Sequence, residues 1–314
     1  MVIFILRRLL HTIPVLFGVT IVVFLSLQLI PGDVAQTLLG FSATAERVAA
    51  LRRDLGLDKP IYVQYATWLW KLVQGDLGRS IAMRVPVASV LGIKFINSLI
   101  LSGASLLIVI VGSFFLGTIS AANFRKAFDR FTVFFTLFIA ALPVFWLGIV
   151  LLYVFGVKIR VFPLSGMYNM ANPGGFPDLL HHVLLPSFTI AASSVAIVTR
   201  VTRSGLIDIL TQPYILAAHS RGLTSERVTY IHGVRNVLPT FANMCGLQVG
   251  YLFGCVVFAE IIFTWPGVGL QLYDSILLRD APMVQGCVLV VAAVFVLGNL
   301  AADVIVYALD PTRH

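Results

Sequence analysis

The order of apolar and polar positions divides the 314-residue chain into long apolar runs separated by charged or glycine- and proline-rich segments. Six runs, at about residues 9–30, 98–122, 131–156, 183–201, 241–263 and 285–308, are each long enough to cross the roughly 30 Å hydrocarbon core as a helix. They are continuous rather than alternating, which points to helices and not to a membrane barrel. Between the first two runs, residues 31–97 carry eight Lys or Arg and five Asp or Glu, too many to span. Within this segment residues 43–55 read as a short helix ended by Gly56 and Pro60. Residues 62–73 place Tyr65, Trp68, Leu69 and Leu72 at helical spacing, as in an amphipathic helix at the membrane interface.

Composition agrees with that pattern. Hydrophobic residues make up 59% of the chain and charged residues 11%, against about a quarter charged in soluble domains. A water-soluble globule is excluded. The net charge of +8 comes from basic residues flanking the runs, which we read as topology signals and not as contacts to nucleic acid. With the N-terminus inside and six alternating spans, the inner segments hold eleven basic residues: Arg7, Arg8, Arg125, Lys126, Arg130, Arg200, Arg203, Arg221, Arg227, Arg235 and Arg313. The short outer loops hold three, Lys158, Arg160 and Arg279. This asymmetry predicts cytoplasmic termini. The first run follows Arg7 and Arg8 but is too long for a cleaved signal core, so we read it as a retained span. The chain then divides into residues 1–97, a first span with a long extracytoplasmic segment, and 98–314, a five-helix core with a cytoplasmic loop at about 202–240.

Candidate chemistry is sparse. Cys245, Cys255 and Cys287 lie in apolar runs without metal-ligand spacing, and no metal site is expected. Gly112 and Gly117 have the glycine spacing of a phosphate loop, but Thr118 replaces its lysine and the segment lies in a span. Gly246, Gly250 and Gly254 stack on one face of the fifth span and suit close helix packing, within the chain or with a partner. Ionisable residues in or near spans are functional candidates because hydrocarbon disfavours them. They are Glu260, Asp303 and Arg200. Glu260 is either a structural carboxylate near the interface or a pathway group. Asn299, Asp303 and Tyr307 share a face of the last span, which suits hydrogen bonding between helices or a place on a pathway. Pro143 should kink the third span. His181 and His182 precede the fourth span as neighbours that cannot share a helix face, and fit a loop exit better than a metal site.

The loop at 202–240 mixes charged and apolar residues. A helix closing at Gly222, followed by Leu223, Thr224 and Ser225 at the start of another with Glu226 and Arg227, predicts a helix-turn-helix knuckle suited to docking a soluble protein. A solvated connector is the alternative.

The run Tyr214-Ile-Leu-Ala-Ala-His-Ser-Arg-Gly222, continued by His232-Gly-Val-Arg-Asn-Val-Leu-Pro239, resembles the cytoplasmic signature of permease subunits of binding-protein-dependent ABC importers, and within them the dipeptide, oligopeptide and nickel class. Pro31-Gly-Asp33, Leu55-Gly-Leu-Asp-Lys-Pro60, Gly75-Asp-Leu-Gly78, Phe263-Thr-Trp-Pro-Gly-Val-Gly269, Arg279-Asp280 and Asp310-Pro311 extend the likeness over the whole chain. Leu216 stands where the general signature has Glu, and the Leu-Pro pair falls several residues later than in the general pattern. The peptide class is similar in both respects.

The resemblance implies an all-α, polytopic type I importer permease of the bacterial or archaeal cytoplasmic membrane, surrounded by lipid and without catalytic residues. It would carry peptides or a nickel complex. A coupling helix around 217–228, including Ala217, Ala218, His219, Ser220, Arg221, Gly222, Glu226 and Arg227, would fit a cleft in an ATPase. The implied partners are an identical or homologous second permease, two cytoplasmic ATPase subunits that bind ATP and Mg, and an extracytoplasmic substrate-binding protein. This chain would itself hold no cofactor. Two other readings are an ion-coupled secondary transporter, for which clear mid-membrane ionisable groups, broken helices or repeats are wanting, and a membrane hydrolase. The latter would need a base and nucleophile or metal ligands within the spans.

Overall fold

The computed structural model describes residues 2–28, 44–54, 58–169 and 174–309. Pro31-Gly-Asp33, Leu55 to Leu57, Asp310-Pro311 and Arg313 lie outside the described residues, as do the side chains of Arg7, Arg8, Leu216, His219, Asp303 and Tyr307. The chain forms α1 (Val2–Gln28), α2 (Ala45–Asp54), α3 (Ile61–Val73), α4 (Val87–Ala122), α5 (Ala127–Ala141) and α6 (Val144–Lys158). There follow α7 (Phe176–Leu210), α8 (Pro213–Ser220), α9 (Ser225–Ile262), α10 (Val268–Leu277) and α11 (Ala281–Leu309). Among the described residues no strand is formed. The all-α, multi-span class expected from the apolar runs is the observed one.

Helices α4, α7, α9 and the Ala281–Ala302 part of α11 are long and apolar enough to cross a bilayer, and α5 with α6 makes a fifth if counted as one broken span. Helix α1 has 27 residues, and its apolar part Leu10–Ser26 is shorter than these spans. The third span is not the continuous helix expected over 131–156. The chain turns by 106° between α5 and α6, a break and not a kink. Leu142 is extended (φ −83°, ψ 134°), as the residue before a proline tends to be. Pro143 lacks an N–H and starts α6 as its N-cap.

Helix α7 is the centre of the bundle, packed against α4, α5, α6 and α9, and its apolar window is the most buried of the spans. Small residues explain this: Ala191, Ala192, Ser193, Ser194, Ala196 and Thr199 are all buried and let neighbouring helices approach. Some buried hydroxyls are satisfied within the helix, Thr189 donating to the Leu185 carbonyl at 2.9 Å and Thr202 to Val198 at 2.8 Å. Ser194 donates instead to Gln248 of α9 at 2.9 Å, and the hydroxyls of Ser187 and Thr199 are buried without a partner among the described residues. The main core joins α4, α7 and α9 through Leu101, Val109, Ile190, Val198, Phe241 and Leu252. Smaller apolar clusters close the two ends. One holds Val87, Leu91, Val268, Met283 and Cys287, and the other Ala121, Leu206 and Val237.

Helix α1 packs on α11 and on α3. The aromatic face of α3 meets α1 directly: the Tyr65 hydroxyl is 2.8 Å from Thr20 Oγ1, and Phe24 packs against the rings of Tyr65 and Trp68. Tyr62, Trp70 and Val73 face away, exposed. Residues 97 and 98 both fall inside α4, so the long segment runs into the core without a break in the helix.

Candidate coupling knuckle and polar nodes

The knuckle is built by two helices meeting at one glycine. Helix α8 ends at Ser220, Arg221 N–H donates to the Ala217 carbonyl at 3.2 Å, and Gly222 adopts φ +82°, the left-handed conformation in which glycine alone escapes a Cβ penalty. Thr224 then caps α9, its Oγ1 accepting from Arg227 N–H at 3.4 Å. After one turn, residues Val228–Gly233 are π-helical before α-helix resumes. Ile215, Val228, Thr229 and Gly233 are buried and seat the knuckle on the bundle. Ala217, Ser220, Arg221, Gly222, Glu226 and Arg227 are exposed, Ala218 is half-buried, and Tyr214, Tyr230 and Ile231 add exposed apolar surface.

Above the knuckle lies a charged clasp. Asp129 at the start of α5 accepts from Arg203 of α7 through Nε (2.5 Å) and Nη2 (2.8 Å), from Ser120 Oγ of α4 at 2.6 Å and from Arg125 N–H at 2.9 Å. One carboxylate thus ties three helices together close to the point where α7 leads into the knuckle. Charge-assisted, two-pronged pairing of this kind fixes orientation as well as energy. Sequence reasoning counted Arg203 only as a topology charge and did not name Asp129. Its signal was a lone acid among Arg125, Lys126 and Arg130.

At the other end of the bundle Glu260 is fully buried. It accepts from Ser98 Oγ of α4 at 2.5 Å, from Gly269 N–H at 2.6 Å and from Leu270 N–H at 3.3 Å. Ser98 Oγ in turn accepts from Val268 N–H at 2.9 Å. The carboxylate therefore satisfies the first turn of α10, whose N–H groups have no intrahelical partners, and joins α4, α9 and α10. Nearby, the Trp265 indole donates to the Asn97 carbonyl at 2.9 Å.

A second carboxylate at this end, Asp280, is buried just before α11. It accepts from Ser80 Oγ, from the N–H groups of Ile81 (3.1 Å) and Ala82 (3.2 Å), and from Met283 N–H at 3.3 Å. It caps α11 and latches the turn before α4. An Asp followed by Pro282 in the first helical turn is a legible cap signal, whereas its partnership with Ser80 is not.

The glycine stripe is not uniform. Gly250 packs so closely on the Asn299 side chain of α11 that a Cβ there would overlap it, whereas a Cβ at Gly254 would meet nothing within 4 Å. Gly246 is half-buried. Gly254 instead borders two apolar grooves of about 420 and 630 Å³. The stripe's close neighbour at Gly250 is thus within the chain. Asp303 shares α11 with Asn299, but its side chain is outside the described residues.

His181 Nε2 lies 2.7 Å from the Val161 carbonyl, and His182 Nδ1 lies 2.9 Å from the Asp178 carbonyl. Each histidine is engaged locally at the start of α7. Among the described residues no three His, Cys, Asp or Glu side chains gather as a metal site would require.

Comparison with known proteins matches residues 113–314 to the family described as binding-protein-dependent transport system inner membrane component, and residues 1–116 to the corresponding N-terminal family. The chain is 35% identical over 310 residues to the oligopeptide transport system permease protein AppB of Bacillus subtilis (strain 168), covering 98% of each. It is 34% identical over 308 residues to the glutathione transport system permease protein GsiC of Escherichia coli (strain K12), covering 98% of this chain and 97% of that one. The readings as an ion-coupled carrier or a membrane hydrolase are set aside. The resemblance carried by Tyr214 to Gly222 and by the segments around it holds along the whole chain, which belongs to the inner membrane components of binding-protein-dependent transport systems, as a multi-pass permease subunit of an ABC importer.

Proposed function

We propose that this chain forms half of the pathway of a peptide importer, with both termini cytoplasmic, a second permease subunit completing the pathway, and two separate ATPase subunits supplying the energy. The observation that carries the cargo is the end-to-end likeness to permeases named for oligopeptides and for glutathione, itself a tripeptide. Orientation follows from the eleven inner against three outer basic residues.

In this reading Ala217, Ala218, His219, Ser220, Arg221, Gly222, Glu226 and Arg227 meet an ATPase that holds ATP and Mg. The exposed turn supports that role, because it offers charged and apolar groups on a short helix seated on buried Ile215 and Val228. Closure of two ATPases would push the knuckle. Through α7 and the Asp129 clasp the push would reach α4 and α5 as the movement of packed, rigid elements. A binding protein would deliver cargo at the opposite end, where Glu260 and Asp280 hold α10 and the turn before α4 in place.

The test is uptake of labelled peptide into proteoliposomes that contain the complete transporter with binding protein outside. Uptake that requires both ATP and the binding protein is expected. Uptake driven by a proton or sodium gradient without ATP would refute the reading.

A further inference from the structure

Arg200 lies on α7, ten residues before Leu210, about 15 Å from that end. A hydrocarbon core about 30 Å thick centred on α7 would take in Arg200 close to its inner edge. Its Nε is buried without a hydrogen-bond partner, and no described carboxylate pairs with it. The acids on the flanking helices are engaged elsewhere, Asp129 with Arg203 and Glu260 at the opposite end. A guanidinium at this depth is costly unless water or an anion reaches it. The residue as a whole is only half-buried.

Its surroundings form a strip. Ser193 and Ser204, seven residues before and four after, share the Arg200 face of α7; Ser193 is buried at one end of it and Ser204 is exposed at the other. On α9 the exposed Tyr251 holds its hydroxyl within hydrogen-bonding reach of Ser193. This face opens between α5, which Arg203 contacts, and α9, which Ser194 and Gly205 meet. From Ser193 to Ser204 the strip rises about 16 Å along the helix.

We propose that this strip lines the translocation pathway and that Arg200 binds the carboxylate of the cargo as it passes. A static ion pair with a partner subunit would need one contact, whereas a run of hydroxyls along the membrane normal suits a moving solute. The proposal rests on the peptide-importer reading for the identity of the cargo, but not for the placing of Arg200 in an aqueous path.

Two measurements on the complete transporter test it. The first compares uptake of a labelled tripeptide with that of its C-terminal amide. Wild type should prefer the free acid, R200K should keep most of that preference, and R200Q should lose about tenfold in uptake of the acid while amide uptake holds. Equal loss for acid and amide, as an acid of the second permease pairing with Arg200 would produce, overturns the proposal, and so does an unchanged preference. The second measurement uses R200C with Cys245, Cys255 and Cys287 replaced by alanine. A charged methanethiosulfonate should label position 200, and absence of labelling overturns the proposal whatever the cargo. If wild type carries neither peptide form, the peptide reading fails, while labelling still decides whether Arg200 faces water.

Discussion

Arg203 grips Asp129 across 74 positions of sequence, with Nε at 2.5 Å and Nη2 at 2.8 Å from its two carboxylate oxygens. The Asp129 side chain is 4% exposed and that of Arg203 20%, so removal of either partner leaves a charge poorly solvated. D129N should cost about 3 kcal/mol, read as a lower midpoint of thermal unfolding in detergent. R203K keeps the charge but not the two-pronged geometry and should cost less than R203Q. Equal midpoints for wild type and D129N would show that the clasp contributes nothing.

At the contact of α9 with α11, Gly250 and Gly254 should respond differently to the same substitution. G250A presses on Asn299 and should destabilise by about 1 kcal/mol, a loss largely relieved in an N299A background because the two residues touch. G254A has open space and should be silent. Thermal unfolding of the two single variants and the double variant checks all three expectations.

Asp280 latches Ser80, Ile81 and Ala82 to the start of α11. D280A leaves these donors without their acceptor, at about 1–3 kcal/mol for each that stays buried. Hydrogen exchange at Ile81 and Ala82 should accelerate selectively, with the core amides of α7 unchanged. Uniform acceleration across the protein would mean that Asp280 supports the whole bundle and not this turn.

Four of the six expected spans, and the broken one as a fifth, were legible because each apolar run is long and carries few charges, and the knuckle because glycine and a capping threonine mark its two helix ends. The break at Leu142 was only half legible. Pro143 announces a disturbance, but whether a helix bends or turns by 106° is decided by what it packs against, as where Gly148 meets Thr189 and Ile262. The nodes were least legible. Asp280 bonds Ser80 across 200 positions and Glu260 bonds Ser98 across 162, separations that no local pattern encodes. The amphipathic reading of α3 found the right residues, while the partner for its aromatic face turned out to include Thr20 and Phe24 of α1.

Gly222 isolates the knuckle's backbone from its packing. A Cβ there would meet nothing within 4 Å, but φ is +82°, so G222A should cost about 1 kcal/mol through conformation alone. Reshaping the turn should lower peptide uptake per ATP hydrolysed with little change in bundle stability, measured by paired uptake and phosphate-release assays. Unaltered coupling in G222A would argue that the turn's shape is immaterial.

The most direct test of coupling through the knuckle replaces residues 220–226 with a flexible Gly-Ser linker of equal length in the complete, reconstituted transporter, and measures peptide uptake and ATP hydrolysis together. Uptake should fall to background while the bundle stays folded and hydrolysis ceases to depend on peptide and binding protein. Uptake that remains fully coupled to ATP would contradict the assignment of the knuckle as the link to the energy source.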